Sequence, residues 1–131
     1  MSASKASTAD LYAPPDDVAV NQAIEEYARA VREVYGPRVK GVYLFGSRAR
    51  GDHTPASDAD IAVVLDDGNW RNWTEIKRLT DIAYDLLVET GADVEAWPVR
   101  VSEWKDPACH QNPDLVRRMQ RDQRPVGSQD G

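Results

Sequence analysis

The fold is decided by residues 39–65, which read VKGVYLF-GSRARG-DHTPASDADIAVVL. The first seven residues, Val39–Phe45, are rich in β-branched and aromatic side chains and are predicted to form a central strand. Residues 60–65 are a nearly continuous aliphatic run, which predicts a second, fully buried strand. Gly46 and Ser47 are predicted to form a turn after the first strand, and a polar loop leads to the second.

The flanking sequence adds three helices and a third strand. Apolar residues recur at intervals of mostly three and four from Val20 to Val34, which predicts a helix capped by Asp16 or Asp17 and ended at Gly36. The same criteria predict a helix over residues 73–88, a strand over 92–101 and a final helix from Pro113. This order predicts a small mixed α/β (α+β) fold, with a sheet of about three to four strands flanked by helices.

Length and composition are those of a single globular domain. The 131 residues suffice for one core, 41% of them are hydrophobic, and no run of about eighteen apolar residues predicts a membrane span. We interpret residues 1–15 as a flexible leader, residues 16–126 as the domain and residues 127–131 as a loose tail. No further strand is predicted near Pro125, where the chain is expected to become loose.

The net charge of −6 argues against strong nucleic-acid binding, because proteins that bind DNA or RNA usually neutralise phosphates with a basic face. The arginines between Arg117 and Arg124 are interpreted as one solvated helix face, with docking to a partner as the alternative. The only cysteine, Cys109, cannot form an internal disulfide, and no secretory signal is recognisable, so a cytoplasmic location is predicted.

Two carboxylates open the second strand. Asp58 and Asp60 are two residues apart, so both side chains are expected on one face, where they repel each other unless a cation lies between them. Mg²⁺ prefers carboxylate oxygens and typically completes its coordination shell with substrate phosphates. The Gly46-Ser47 turn lets an anion approach the backbone, and nearby arginines can pair with phosphate oxygens. Together these features predict a site for a metal and a triphosphate.

The sequence between Gly46 and Ile61 resembles the minimal nucleotidyltransferase family of the DNA polymerase β-like superfamily. The family signature is Gly-Ser-x-Ala-Arg-Gly followed by Ser-Asp-x-Asp and an aliphatic residue, and every position is matched here. The resemblance extends from the first predicted helix to about Val126. It implies a nucleotidyltransferase-like fold, with Mg²⁺ as cofactor, two ions in the full site, and ATP or another nucleoside triphosphate as substrate.

The resemblance also implies roles for individual residues. Asp58 and Asp60 would bind the metal and take part in catalysis, together with a third carboxylate on the third strand. Glu95 is preferred for that third position because apolar residues flank it, and Asp93, on the same face, is the alternative. The nucleotide would be bound by residues of the motif and its loop, namely Gly46, Ser47, Arg48, Arg50 and Ser57.

Minimal members of this family resemble the antitoxin half of toxin–antitoxin pairs, and this implies a function. The chain would transfer AMP from ATP to a hydroxyl on a small helical HEPN-type toxin and so silence it. One alternative is an antitoxin that binds its partner without catalysis. Another is an enzyme that modifies a small, antibiotic-type molecule, for which a homo-oligomer could supply the acceptor pocket.

Overall fold

A four-stranded mixed sheet lies at the centre of the computed structural model, which describes residues 15–127. Its strands are β1 (Val39–Phe45), β2 (Ala59–Leu65), β3 (Val94–Arg100) and β4 (Arg124–Pro125). They lie side by side in the order β3-β2-β1-β4. β1 is antiparallel to both β2 and β4, whereas β2 and β3 are parallel. The predicted fold class, a small mixed sheet flanked by helices, is confirmed.

Five α-helices lie within residues 15–127; the first precedes the sheet, and the others connect or follow its strands. They are α1 (Asp17–Tyr35), α2 (Ser47–Arg50), α3 (Asn72–Thr90), α4 (Val101–Lys105) and α5 (Pro113–Asp122). The first helix is capped by Asp16, whose Oδ1 accepts a hydrogen bond of 2.8 Å from the backbone N–H of Ala19. The third ends at Gly91, which has a left-handed φ of 78°. None of the helices within residues 15–127 is long and apolar enough to cross a membrane.

The sheet is covered on both faces, which explains the unbroken apolar run of β2. On one face α1 and α3 pack against it and build the larger core, which includes the fully buried Tyr27, Ile61 and Leu79. On the other face α5 contributes Val116 and Met119 to a smaller cluster with Phe45, Ala62 and Val99. A strand between two helical layers buries every side chain, so its sequence shows no alternation.

The end of the chain differs from the prediction. Arg124 and Pro125 pair with Leu44 and Tyr43 of β1, and Val126 is buried, so the chain is not loose from Pro125. Two residues that include a proline have no strand pattern of their own, and the pairing depends on the exposed edge of β1. The predicted leader and tail lie outside the described residues, apart from Pro15 and Gly127.

Candidate active site

The turn after β1 brings the backbone directly against a carboxylate. Gly46 has a φ of 77°, in the left-handed region that favours glycine. A Cβ built at this position would lie only 2.4 Å from Oδ2 of Asp60. Only glycine therefore fits between the strand end and Asp60. Ser47, the next residue, begins the four-residue helix α2 beside this contact.

Four carboxylates meet at one end of the two parallel strands. Asp60 is paired in register with Glu95, and the backbone N–H of Ala59 donates a 2.9 Å hydrogen bond to the carbonyl oxygen of Asp93. Because side chains alternate between faces, Asp58, Asp60, Asp93 and Glu95 all belong to the same face, the one covered by α5. The Asp-x-Asp motif and the two candidates for the third carboxylate thus lie on one face of two neighbouring strands.

The carboxylates perturb one another strongly. Burial, together with the charge of Asp58, raises the pKa of Asp60 to about 6. A hydrogen bond with Asp58, followed by burial and the charges of the other carboxylates, raises the pKa of Glu95 to about 7. The pKa of Asp93 is also raised, by burial and then by Asp58. Carboxyl groups that raise one another's pKa mark a concentration of negative charge, and a bound cation would reduce their mutual repulsion.

This donor set suits a hard cation, since every candidate ligand is a carboxylate oxygen. Within residues 15–127, however, no three carboxylate, imidazole or thiol groups form a closed metal-binding cluster. Interaction with Asp58 raises the pKa of both Glu95 and Asp93, so these carboxyl groups disfavour each other's ionised forms. The fold therefore brings the ligands to one place, and a bound cation would have to draw them together.

Glu95 is better placed than Asp93 to complete a site with the Asp-x-Asp motif. The charges of both Asp58 and Asp60 raise the pKa of Glu95. Among these motif carboxylates, only Asp58 contributes to the raised pKa of Asp93. In the pairing of β2 with β3, Glu95 is also the register partner of Asp60. That Glu95 is the third ligand, with Asp93 as the alternative, stays a prediction.

The side chain of Arg48 is directed into the motif loop. It is 8% exposed, and its guanidinium donates hydrogen bonds to the carbonyl oxygens of Ser57 (2.9 Å), Pro55 (3.3 Å) and Thr54 (3.5 Å). It also pairs with Asp17 at 3.3 Å. These contacts hold the loop, and the predicted role of Arg48 in nucleotide binding stays a prediction.

Ser57 closes the same loop from the other side. Its Oγ accepts a hydrogen bond of 2.9 Å from the backbone N–H of Thr54, and its carbonyl oxygen accepts from Arg48. His53, in the same loop, lies 3.1 Å from Asp17 through Nε2. These contacts hold the segment that leads directly into Asp58. Ser57 therefore fixes the start of β2, and its predicted role in nucleotide binding stays a prediction.

Arginines from two elements reach the carboxylate face. Arg50 pairs with Asp122 of α5 at 2.8 Å and with Asp52 at 3.1 Å. The positive charges of Arg118 and Arg50 both oppose the rise in the pKa of Asp60. Arg118 was not predicted as a site residue, because it was grouped with a solvated helix face. A signal was present, since Arg118 directly precedes the buried Met119 and so lies at the border of the inward face of α5.

A cleft of about 480 Å³ opens beside the carboxylates along β3. Its walls include Asp58, Glu95 and Trp97, with Ile76 and Thr80 of α3 opposite. The centroid of the Trp97 ring also lies 5.6 Å from that of the Phe45 ring, so Trp97 packs against the smaller apolar cluster as well. The carboxylate site thus has space beside it for a substrate of considerable size.

Comparison with known proteins identifies a family. The family model described as "Nucleotidyltransferase domain" matches residues 24–118, most of the chain. "Putative protein adenylyltransferase MJ0604" of Methanocaldococcus jannaschii is 36% identical over 75 residues, which are 57% of this chain and 68% of the relative. "Putative protein adenylyltransferase MJ1379" of the same organism is 31% identical over 68 residues, 52% of this chain and 66% of the relative.

Solved structures share the fold. A "putative nucleotidyltransferase from Sulfolobus solfataricus" has a TM-score of 0.59 and 21% identity, and the match covers 82% of this chain and 79% of that one. A chain in a crystal structure of "the toxin-antitoxin with AMP-PNP" has a TM-score of 0.54 and 21% identity, with 80% and 74% covered. With the family model matching well over half of its length, the chain belongs to the nucleotidyltransferase domain family, in agreement with its resemblance to minimal nucleotidyltransferases between Gly46 and Ile61.

Proposed function

We propose that this protein transfers AMP from ATP to a hydroxyl of a partner protein, that the reaction needs Mg²⁺, and that the partner is a HEPN-type toxin silenced by the modification. The observation that carries the proposal is the group of carboxylates on one face, closed on one side by the Gly46 turn. Two comparisons support it. Relatives bear the name of protein adenylyltransferases, and a toxin–antitoxin chain with AMP-PNP shares the fold.

Asp58, Asp60 and Glu95 would hold the metal, with Asp93 as the alternative to Glu95. When bound there, Mg²⁺ supplies positive charge to the phosphate oxygens and to the attacking oxygen. The chain's own residues then orient the nucleotide. The backbone at Gly46 and Ser47 would bind the terminal phosphates. Arg50, whose positive charge opposes the rise in the pKa of Asp60, would offset the negative charge of those phosphates.

The proposed reaction is a direct displacement at phosphorus. The acceptor oxygen forms a bond to the α-phosphorus while the bond from that phosphorus to the bridging oxygen breaks. Pyrophosphate leaves with the electron pair, and the proton of the acceptor hydroxyl passes to the carboxylate of Glu95. Catalysis of this type depends mainly on positioning and electrostatics, which is what a cluster of fixed carboxylates provides.

A label-transfer assay tests the proposal. The purified protein is incubated with Mg²⁺, a lysate of its host and ATP labelled at either the α- or the γ-phosphate. We expect one protein band labelled from the α-position only, lost in Asp60→Asn and kept in Asp81→Asn, a matched change at an exposed carboxylate of α3. Labelling from the γ-position, or equal labelling by both variants, would contradict the proposal. Tight binding of a partner without any label would favour inhibition by occlusion.

A further inference from the structure

Within the part of the chain that the structure describes, no further strand covers the outer edge of β3. Here β3 is the last strand in the order β3-β2-β1-β4 and pairs with β2 alone. Such an edge presents unpaired backbone groups that can form hydrogen bonds with an added strand. Its position is unusual because the same strand carries Glu95, so an added strand would lie next to the carboxylate site.

The hydrogen bond between Ala59 and Asp93 fixes which residues of β3 face outward. The backbone of Asp93 is directed at β2, since its carbonyl oxygen accepts from Ala59 at 2.9 Å. Alternate residues in a strand direct their N–H and C=O groups to opposite edges. The backbone groups of Val94, Ala96 and Pro98 therefore face away from β2. Among residues 15–127, no turn, loop or side chain forms a hydrogen bond with the backbone of Val94 or Ala96.

Pro98 limits how long this edge can be. Proline has no N–H, so the outward donors of β3 are those of Val94 and Ala96. This leaves two donors and two acceptors on a short stretch beside Glu95. Proline at an outward position is a common way to prevent uncontrolled pairing of sheet edges. The usable edge is thus restricted to the part that borders the carboxylates.

The cleft beside the carboxylates follows this edge. Its lining includes every residue from Asp93 to Trp97, faced by Ile76 and Thr80 of α3. Five residues of an extended strand span about 17 Å, which sets the length of chain that could lie along it. Three of the lining side chains are carboxylates and none is basic, so the charge of the cleft favours a basic occupant.

We propose that the β3 edge binds the acceptor as a short, basic, extended peptide segment, which adds to the sheet beside β3 and presents its hydroxyl to the carboxylates. This inference rests on the proposed function and names the form of its substrate. Backbone hydrogen bonds to Val94 and Ala96 would supply affinity, and side chains of the segment on the face of Glu95 would supply specificity. A tyrosine on that face is long enough to cross the spacing of one strand, about 4.8 Å, and so to reach the row of Glu95 on β3.

Two proline changes form a matched pair for the test. Ala96→Pro removes an outward N–H and leaves the hydrogen bonds to β2 in place, and Glu95 before it is already extended, as a residue before proline must be. Pro98→Ala adds an outward N–H. The probe is a library of decapeptides, each with a central tyrosine flanked by lysine or arginine. Binding is measured by fluorescence anisotropy, and Mg²⁺-ATP binding is measured separately by calorimetry.

We expect Ala96→Pro to weaken binding of the best peptide about tenfold, the equivalent of one lost hydrogen bond, with unchanged affinity for Mg²⁺-ATP. Pro98→Ala should bind the peptide as well as the wild type or better. Bound peptide should slow amide hydrogen exchange at Val94 and Ala96. N-methylation of the peptide backbone should weaken binding when it is placed at alternate residues, those whose N–H groups face β3. This measurement tests the edge inference even if Ala96→Pro does not fold.

The inference and the proposed function fail in different ways. Label transfer to a partner with no slowing of exchange at Val94 and Ala96 would overturn the edge inference and leave the function intact. Peptide binding along the edge without any transfer would overturn the proposed function and leave the edge inference intact. The edge inference is also wrong if no peptide in the library binds, if folded Ala96→Pro binds like the wild type, or if the edge is occupied by a second copy of the chain.

Discussion

Replacing Asp60 by asparagine should make the metal-free protein more stable while it abolishes transfer. The structure holds the Asp60 carboxylate half-buried, against the Gly46 backbone and near Asp58. Its pKa is raised from 3.8 to about 6, so the ionised form is disfavoured in the folded state. Asparagine has nearly the same shape and no charge. The substitution should therefore remove the cost of burying a charged carboxylate and its repulsion by Asp58, a cost that a bound cation would offset in the wild type.

The size and sign of the effect follow from the pKa. A rise from 3.8 to about 6 corresponds to about 3 kcal/mol, and solvent screening of a half-exposed group reduces this to about 1–2 kcal/mol. Well below pH 3.8 the carboxyl is protonated in both the folded and the unfolded states, so the penalty is absent, and it is still small at pH 4. As the pH rises through 4 to 6, the wild type loses stability that Asp60→Asn keeps. At pH 8 the variant should melt about 4–8 °C higher.

Thermal unfolding in EDTA from pH 4 to pH 8 measures this difference. Asp81→Asn is the control, because it makes the same chemical change at an exposed position of α3 and should shift the melting temperature little at any pH. Added Mg²⁺ and ATP should then stabilise the wild type and not Asp60→Asn. Equal melting temperatures of Asp60→Asn and wild type at pH 8, or a gap that does not close toward pH 4, would refute the reasoning.

Three further changes test the parts that surround the site. Gly46→Ala should lower the free energy of unfolding, measured in urea, by about 1–3 kcal/mol, because of backbone strain and the contact of the new Cβ with Asp60. Gly51→Ala should have a smaller effect, because φ is 89° there but no atom lies within 4 Å of the new Cβ. Arg48→Lys should cost about 2–4 kcal/mol, because lysine cannot reach the three loop carbonyls together, and limited proteolysis should then cut the motif loop. Arg118→Ala should raise the pKa of Asp60 further, which NMR titration of the carboxyl carbon detects; an unchanged pKa would remove Arg118 from the site.

Local patterns in the sequence predicted most of the secondary structure. The first strand was predicted with its bounds, and the helix cap at Asp16, the stop at Gly91 and the buried run of β2 were predicted to within one or two residues. Each of these features depends on neighbours along the chain, through caps, left-handed glycines and the spacing of apolar residues. The motif between Gly46 and Ile61 also predicted the family, because its glycines and carboxylates lie close together in the sequence, in one turn and at the start of one strand.

The tertiary structure alone decided the remaining features. Three features join residues far apart in sequence: the pairing of β4 with β1, the contact of Arg48 with Asp17, and the electrostatic effect of Arg118 on the pKa of Asp60. The register of β3 against β2, which makes Glu95 the partner of Asp60, is likewise set by strand pairing and not by the local sequence. A side chain's type and position in the sequence state what it can bind, but the partner it meets is set by how strands align and helices pack, because only then are distances between distant residues fixed.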